Sequence, residues 1–383
     1  MVYMEFRDLK KQYQVLKADI DKAMQDVAAA GNYIMGGPVA ELEQQLAEYV
    51  GVKNCMTRAN GTDVLTLALK ALGIGKGDAV FVPDFTFFAS AEVVALEGAT
   101  PVFVDVDPRT FNIDTASLKE AIAAVEKEGI LKVKAVIAVD LFGLPADFIA
   151  VKEIARQNGL YVIEDGAQGF GGRIGNRHAC SFGDISTTSF FPAKPLGCYG
   201  DGGAVFTDND EWAALVRSYR VHGKGSDKYD NVRIGMNSRL DTVQAAILQV
   251  KLKAFKDYEL TAVNNVAAQY TKLINEGIGA NVATPYIPDG YLSSWAQYTL
   301  QLNDGSIRAG LQAHMKEAGI PTMVYYPTPM SMQTAFKGQH TYIDTPNAHQ
   351  LSQCVLSLPM HPYLTEEDIQ RVVETLLTNF KAQ

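Results

Sequence analysis

Val162-Ile163-Glu164-Asp165-Gly166-Ala167-Gln168 reads as an apolar strand that ends on a carboxylate and then turns through a glycine. The strand expected over 161–164 shows no polar face, which is the habit of a parallel sheet covered by helices on both sides. The flanking sequence agrees. Upstream, 148–157 carries apolar residues at three- and four-residue spacing, and 135–139 is another short apolar run. Further strands are expected over 79–82, 102–106, 187–190 and 204–207, with helical patterns over 89–96 and 116–125 between them. This alternation from 79 to 206 predicts an α/β fold on a mixed, mostly parallel sheet sandwiched by helices.

After Asn237 the pattern changes. One long helix is predicted over 239–255 and a second over 263–274; Pro285, Pro288, Gly290 and Ser293-Ser294 then mark a loop before a short α+β segment. The expected division is a large domain over 1–250, including an N-terminal helix over 16–30, and a smaller α+β domain over 251–383. No internal repeat or low-complexity tract interrupts it.

A chain of 383 residues, 47% of them hydrophobic, can bury a large core. The net charge of −9 is spread without a basic run, so nucleic acid is not an expected partner. Cys55, Cys180, Cys198 and Cys354 are scattered with no C-x-x-C pair, and the six histidines lack metal spacing, so no metal is expected and the thiols read as reduced. The start, Met1-Val2-Tyr3-Met4-Glu5-Phe6-Arg7-Asp8, is charged where an export signal is apolar, and no run reaches membrane-spanning length. A cytoplasmic protein is the expectation.

Three segments carry chemistry. In Asn60-Gly61-Thr62-Asp63-Val64-Leu65, polar residues open an amphipathic helix, whose unpaired N–H groups can hold a phosphate with the Thr62 hydroxyl as an added donor. Asp165 stands at the carboxyl edge of its strand, where open α/β sheets bind ligands, and can pair with a protonated ring nitrogen. In Thr187-Thr188-Ser189-Phe190-Phe191-Pro192-Ala193-Lys194-Pro195-Leu196-Gly197-Cys198-Tyr199-Gly200-Asp201-Gly202-Gly203-Ala204, a lysine lies between an apolar strand and a glycine-rich stretch. A partly desolvated lysine there has a lowered pKa and a neutral amine able to attack an aldehyde. Each segment alone also fits an ordinary helix cap, a capped turn or a surface-loop lysine. Their combination in this order is far more specific. Gly169-Phe170-Gly171-Gly172-Arg173-Ile174-Gly175 resembles a dinucleotide loop only superficially, because no amphipathic helix pattern follows it.

With these motifs in hand, the chain resembles the DegT-type sugar aminotransferases, within the fold-type I pyridoxal phosphate (PLP) enzymes. The resemblance runs from Tyr33-Ile34-Met35-Gly36-Gly37-Pro38 through the carboxylate and lysine segments to Asn237-Ser238-Arg239-Leu240-Asp241-Thr242 and Leu358-Pro359-Met360-His361. It implies PLP as cofactor and Lys194 as the lysine that bonds it. It further implies Asp165 as partner of the ring nitrogen, Gln168 as donor to the ring hydroxyl, and Gly61, Thr62 and Ser189 as phosphate ligands. Phe87, in Phe85-Thr86-Phe87-Phe88-Ala89-Ser90, takes the place of the aromatic that stacks on the ring. In the family Asn237 reaches the phosphate of the neighbouring subunit, which implies a homodimer with shared sites.

The lysine run and Asn237-Ser238-Arg239-Leu240-Asp241-Thr242 look most like aminotransferases acting on UDP-2-acetamido-2-deoxy-3-ketoglucuronate with glutamate as amino donor, in cell-surface polysaccharide (lipopolysaccharide) biosynthesis. Arg239 fits a carboxylate on either substrate. Tyr325-Tyr326-Pro327 replaces the His-Tyr-Pro often seen in relatives, so Tyr325 and Tyr326 mark a changed contact to the nucleotide-sugar, with His361 a further pocket candidate. The alternatives are an aminotransferase on a dTDP-linked 3-keto or 4-keto 6-deoxyhexose, and a non-catalytic regulatory homologue that only binds PLP or a sugar nucleotide. A sugar dehydratase of the same fold would carry histidine at position 194, where this chain has lysine.

Overall fold

A computed structural model of the chain describes residues 3–227 and 229–381; Met1 and Val2 of the charged start, Lys228, and Ala382 and Gln383 at the end of the small domain lie outside the described residues. Helices α1 (Leu9–Ala30) and α2 (Gly37–Val50) lead into a seven-stranded sheet. Its strands are β1 (Asn54–Arg58), β2 (Asp78–Pro83), β3 (Thr100–Val104), β4 (Lys132–Val139), β5 (Tyr161–Asp165), β6 (Ile185–Ser189) and β7 (Gly203–Thr207). They lie in the order β1-β7-β6-β5-β4-β2-β3, with β7 antiparallel to both its neighbours and the pairs from β3 through to β6 parallel. The predicted mixed, mostly parallel sheet is what forms.

Alternation along the strands sorts side chains onto two apolar faces. Val80, Val82 and Ile137 pack with Val64, Leu65 and Ala68 of α3 (Gly61–Ala71) and Val93 of α4 (Ala89–Leu96). Their neighbours Ala79, Phe81, Val136 and Ala138 face α5 (Thr115–Glu128) and α6 (Phe148–Asn158) through Leu118, Ile122, Phe148 and Val151. Each fully buried side chain of this size contributes about 1.5–3 kcal/mol. Cap residues set the helix ends: the Asp147 carboxylate accepts from the Ala150 N–H at 3.1 Å to start α6, and Gly159, at φ +65°, closes it.

The first strand, Asn54-Cys55-Met56-Thr57-Arg58, lacks an apolar pattern yet is wholly buried. Two of its polar residues are met from outside: Thr57 donates from its N–H and hydroxyl to Glu43 Oε1 of α2 at 2.8 and 2.9 Å, and Asn54 Nδ2 donates to Asp210 at 3.1 Å, whereas Arg58 Nε and Nη2 are buried without a partner.

After α7 (Asp210–Tyr219), the long helix expected over 239–255 begins only at Thr242, as α8 (Thr242–Ala254). The Thr242 N–H donates to the Tyr33 carbonyl and its hydroxyl accepts from the Gly36 N–H, which pins the preceding segment as extended chain. Asn237 forms an antiparallel bridge with Val221, so it and Arg239 precede the helix rather than opening it. A π turn at Phe255–Glu259 joins α8 directly to α9 (Leu260–Ile278), so the two expected helices are one rod: α8 packs on α1 and α2, and α9 on the C-terminal helix.

The small lobe holds an antiparallel sheet of β8 (Val282–Ala283), β9 (Tyr298–Leu302) and β10 (Val355–Leu358), in that order, with α10 (Arg308–Glu317), α11 (Pro346–Cys354) and α12 (Glu366–Lys381). The glycine-rich 169–175 segment leads into a small hairpin, Arg173–Ile174 with Arg177–His178, and no helix follows it. All four cysteines are buried and unbridged. Among the described residues no helix is long and apolar enough to cross a membrane.

Candidate active site

The carboxyl ends of β1, β2, β5 and β6 open onto one edge of the sheet, where βα connections leave side chains free for a ligand. β1 ends in Arg58, three residues before Gly61. Asn60 accepts from the Asp63 N–H at 2.7 Å, which starts α3 at Gly61. A Cβ on Gly61 would meet the Ser189 Cβ at 2.7 Å and Oγ at 2.9 Å. Only glycine lets the start of α3 come this close to the end of β6, and the approach brings the first N–H groups of α3, Thr62 and the Ser189 hydroxyl to one place. That cradle suits a phosphate dianion.

Asp165 ends β5 and is 4% exposed. Its Oδ2 accepts from the Ser90 hydroxyl at 2.8 Å and its Oδ1 from the Ala167 N–H at 3.2 Å. Burial pushes its pKa up, while Ser90, Ala167 and the Lys194 charge oppose. Ser90, at the start of α4, was not singled out from sequence, although the quoted 85–90 run contains it. A buried carboxylate with so little charge compensation suits a cationic partner such as a protonated ring nitrogen.

Lys194 stands in a tight turn: its N–H donates to the Phe191 carbonyl at 2.8 Å, and a Cβ on Gly197 would fall 2.5 Å from the Pro192 carbonyl oxygen. The amine is pushed below the usual lysine range by burial, with Arg7 acting the same way and Asp165 opposing. An amine held below its usual range thus lies within the field of the Asp165 carboxylate, and the fold brings the second and third of the sequence segments together.

Gln168, 4% exposed, is held at both ends of its amide. Oε1 accepts from the Phe142 N–H at 2.6 Å and Nε2 donates to the Tyr326 hydroxyl at 3.0 Å, leaving one amide hydrogen. Phe87 is 55% exposed and tilts against the Tyr326 ring with centroids 6.3 Å apart, so a flat apolar face stands open at the site. Tyr326 therefore lies against Gln168 and Phe87, and burial raises its phenol pKa. Tyr325 turns the other way and packs edge-on against Phe6 at 6.2 Å. His361 is 4% exposed beside the N-terminal segment; its Nδ1 accepts from the Tyr363 N–H, and burial followed by the Arg7 charge pushes its pKa down to about 4.

Asn237 and Arg239 lie apart from Lys194, in a depression of about 420 Å³ shared with Ile34, Ala59, Asp201 and Gln244. The Arg239 Nε is buried without a partner, and Asn237 is exposed. The Ser238 hydroxyl between them accepts from the Ala59 N–H at 3.3 Å, which ties this depression to the base of the cradle.

The DegT/DnrJ/EryC1/StrS aminotransferase family matches the chain over residues 14–377. A UDP-2-acetamido-2-deoxy-3-oxo-D-glucuronate aminotransferase from Pseudomonas aeruginosa is 45% identical over 377 residues, which cover 98% of this chain and 100% of that protein. Among solved structures, a DegT DnrJ EryC1 StrS aminotransferase from Brucella abortus superposes with a TM-score of 0.95 at 46% identity, covering 100% of both chains. The structure of NtdA from Bacillus subtilis with bound cofactor PMP gives a TM-score of 0.85 at 29% identity, covering 96% of this chain and 82% of that one.

Proposed function

This chain belongs to the DegT/DnrJ/EryC1/StrS aminotransferase family and is a PLP-dependent aminotransferase, and from that premise we propose that it moves the amino group of L-glutamate onto the keto carbon of UDP-2-acetamido-2-deoxy-3-ketoglucuronate. The observation that carries the reading is the meeting of Gly61 with Ser189 next to Asp165 and Lys194. For the sugar, support comes from the unpartnered Arg239 Nε, since a guanidinium short of an acceptor suits the carboxylate of a uronic acid or of glutamate.

In this reading Gly61, Thr62 and Ser189 hold the cofactor phosphate, Asn237 adds a donor from a partner subunit, and Phe87 covers the ring. When bound, PLP supplies the aldehyde that takes up the amino group and the ring that draws off electrons from the breaking C–H bond. Asp165 keeps a proton on the ring nitrogen, and the Gln168 amide hydrogen left over from Tyr326 is offered to the ring hydroxyl. The Lys194 Nζ would take the proton from the α-carbon of glutamate and return it on the far side of the transferring nitrogen, two atoms away, and would run the reverse transfer for the sugar. Tyr325, Tyr326 and His361 border the sugar side.

The same reading takes the protein as a cytoplasmic homodimer serving lipopolysaccharide or related cell-surface polysaccharide biosynthesis, with lobes dividing near residue 250. The test is to charge the enzyme with glutamate and offer UDP- and dTDP-linked 3-keto and 4-keto sugars. Fastest discharge by the UDP-linked 3-keto uronic acid is expected. Preference for a dTDP-linked 6-deoxyhexose moves the assignment to that substrate class, and failure to bind PLP at all points to a regulatory homologue.

A further inference from the structure

The N-terminal segment before α1 does more than begin a helix. The Asp8 carboxylate accepts from the Lys11 N–H at 2.7 Å and so fixes where α1 starts, leaving residues 4–7 non-helical. This stretch is laid along the small lobe: the Met4 N–H donates to the Gly319 carbonyl and the Met360 N–H to the Phe6 carbonyl, both at 3.1 Å, while the Phe6 ring packs on Tyr325. The Arg7 side chain crosses from there to the large lobe. Its Nη2 donates to the Lys194 carbonyl at 2.9 Å and to the Pro195 carbonyl at 3.4 Å.

We propose that Arg7 is a positioning residue for the amine: by gripping the backbone of the Lys194 turn it makes the small-lobe strap, and not the lysine loop alone, fix where Nζ stands. This rests on the reading of Lys194 as the cofactor-binding lysine. Pro195 has no N–H to add to the Lys194-to-Phe191 bond within the turn, and the carbonyls of Lys194 and Pro195 are held from outside by Arg7. A guanidinium at the end of a long side chain is suited to this because its Nη2 carries two hydrogens and reaches both neighbouring carbonyl oxygens.

The charge of Arg7 has a second consequence. The groups facing it are Glu259 and Lys251 on the α8–α9 rod, Tyr363 and His361 after β10, and Lys194 itself. Glu259 is the anion of this set, and its Oε1 also accepts from Gln12 Nε2 at 2.8 Å and from the Tyr363 hydroxyl at 2.5 Å. Arg7 therefore keeps its charge but shares its counterion, and part of its field falls on the amine. Burial and Arg7 favour the neutral amine, while Asp165 favours the charged one. The strap thus couples the seating of the small lobe to the protonation of Lys194.

The test uses the full chain stripped of cofactor and follows the rate at which added PLP is captured, as a function of pH. Only the neutral amine reacts, so the midpoint of the rate profile reports the Lys194 pKa in the free protein. Arg7→Ala is expected to lower the plateau rate and to move the midpoint up. Arg7→Lys is expected to return the midpoint towards wild type, while the plateau stays low because the shorter lysine side chain does not carry its amine to both carbonyls. Lys10→Ala, in an exposed ion pair with Glu5 at 2.9 Å, serves as the control for disturbing the segment. Circular dichroism and melting confirm that each variant is folded, and Arg7→Gln replaces Arg7→Ala if the latter is not. A midpoint unmoved in the folded neutral variant overturns the proposal, as does a plateau fully restored by Arg7→Lys. Borohydride reduction and peptide mapping of the wild type separate the two readings: an adduct away from Lys194 overturns the site assignment, whereas an adduct on Lys194 with an unmoved midpoint overturns the role of Arg7 alone.

Discussion

The Gln168 Nε2 donates to the Tyr326 hydroxyl at 3.0 Å, joining the loop after β5 to a segment 158 residues further along the chain. Gln168 can rotate little, because Phe142 holds the other end of its amide. The hydroxyl of Tyr326 thus orients the side chain assigned to the cofactor's ring hydroxyl.

Tyr326→Phe removes that hydroxyl and leaves the ring packed on Phe85 and Phe87. The lost hydrogen bond is worth about 1 kcal/mol, so turnover is expected to fall roughly fivefold, with a shift in the visible band of the bound cofactor and little change in melting temperature. An unaltered spectrum and rate would show that Gln168 is oriented without Tyr326.

Gly61→Ala tests the cradle. With Ser189 Cβ 2.7 Å from the new methyl group, the start of α3 has to move away from β6, and the donors no longer converge. Losing one charge-assisted hydrogen bond costs about 1.5–3 kcal/mol, so affinity for PLP is expected to drop roughly ten- to hundredfold in equilibrium titration while the fold persists. Unchanged affinity would mean that the phosphate sits elsewhere.

Lys251 offers a test of stability against pH. It is 1% exposed, and burial followed by Arg7 pushes its pKa down to about 8. Below pH 8 the folded chain carries a buried ammonium whose desolvation costs about 3 kcal/mol relative to the unfolded chain. As pH rises from 8 towards 10.5 the unfolded chain holds more protons than the folded one, so this cost fades. Lys251→Met is therefore expected to be more stable than wild type at pH 7, by up to that amount, with the advantage shrinking to nothing near pH 10.5. A variant less stable at pH 7 would show that the ammonium is compensated by Glu259 and the Tyr199 ring, which it approaches to 5.1 Å.

The parts of the molecule legible in the sequence are those where local pattern and tertiary environment agree. Five of the seven strands lie within two residues of the expected runs, four of them (β2, β3, β5 and β7) because those runs are mostly apolar, and the carboxylate and lysine follow the ends of β5 and β6. β1 was invisible because Glu43 and Asp210 supply the partners for its polar residues from distant segments. The start of α8 was misplaced because Tyr33 and Gly36 hold the 237–241 segment extended, a contact across about 200 residues. Arg7 and Ser90 act through what the fold brings to them: Arg7 belongs to no motif, and Ser90 closes the 85–90 run with no local sign that it meets Asp165. Tyr326 was noticed as part of a tripeptide, but its orientation towards Gln168 needed the packing of both lobes.

The last prediction concerns assembly. Asn237 is exposed on an extended segment, and the stretch before it presents Val232 at 53% and Ile234 at 89% exposure, with Tyr33 and Ile34 at 55% and 44%. Apolar side chains this open on a chain with a large core are the mark of a surface that another molecule covers. A second copy covering it through an isologous contact would carry two Asn237 side chains, one towards each partner's cradle. PLP bound across such an interface stabilises the dimer, and the dimer in turn retains PLP. Ile234→Lys is expected to give monomers by light scattering and to weaken PLP binding roughly tenfold or more, while melting of the monomer stays cooperative. Asn237→Ala is expected to leave the dimer intact and to weaken PLP binding alone. An Ile234→Lys monomer with full activity and wild-type cofactor affinity would show that each site is complete within one chain, and Asn237 would then be a surface residue with no part in holding the phosphate.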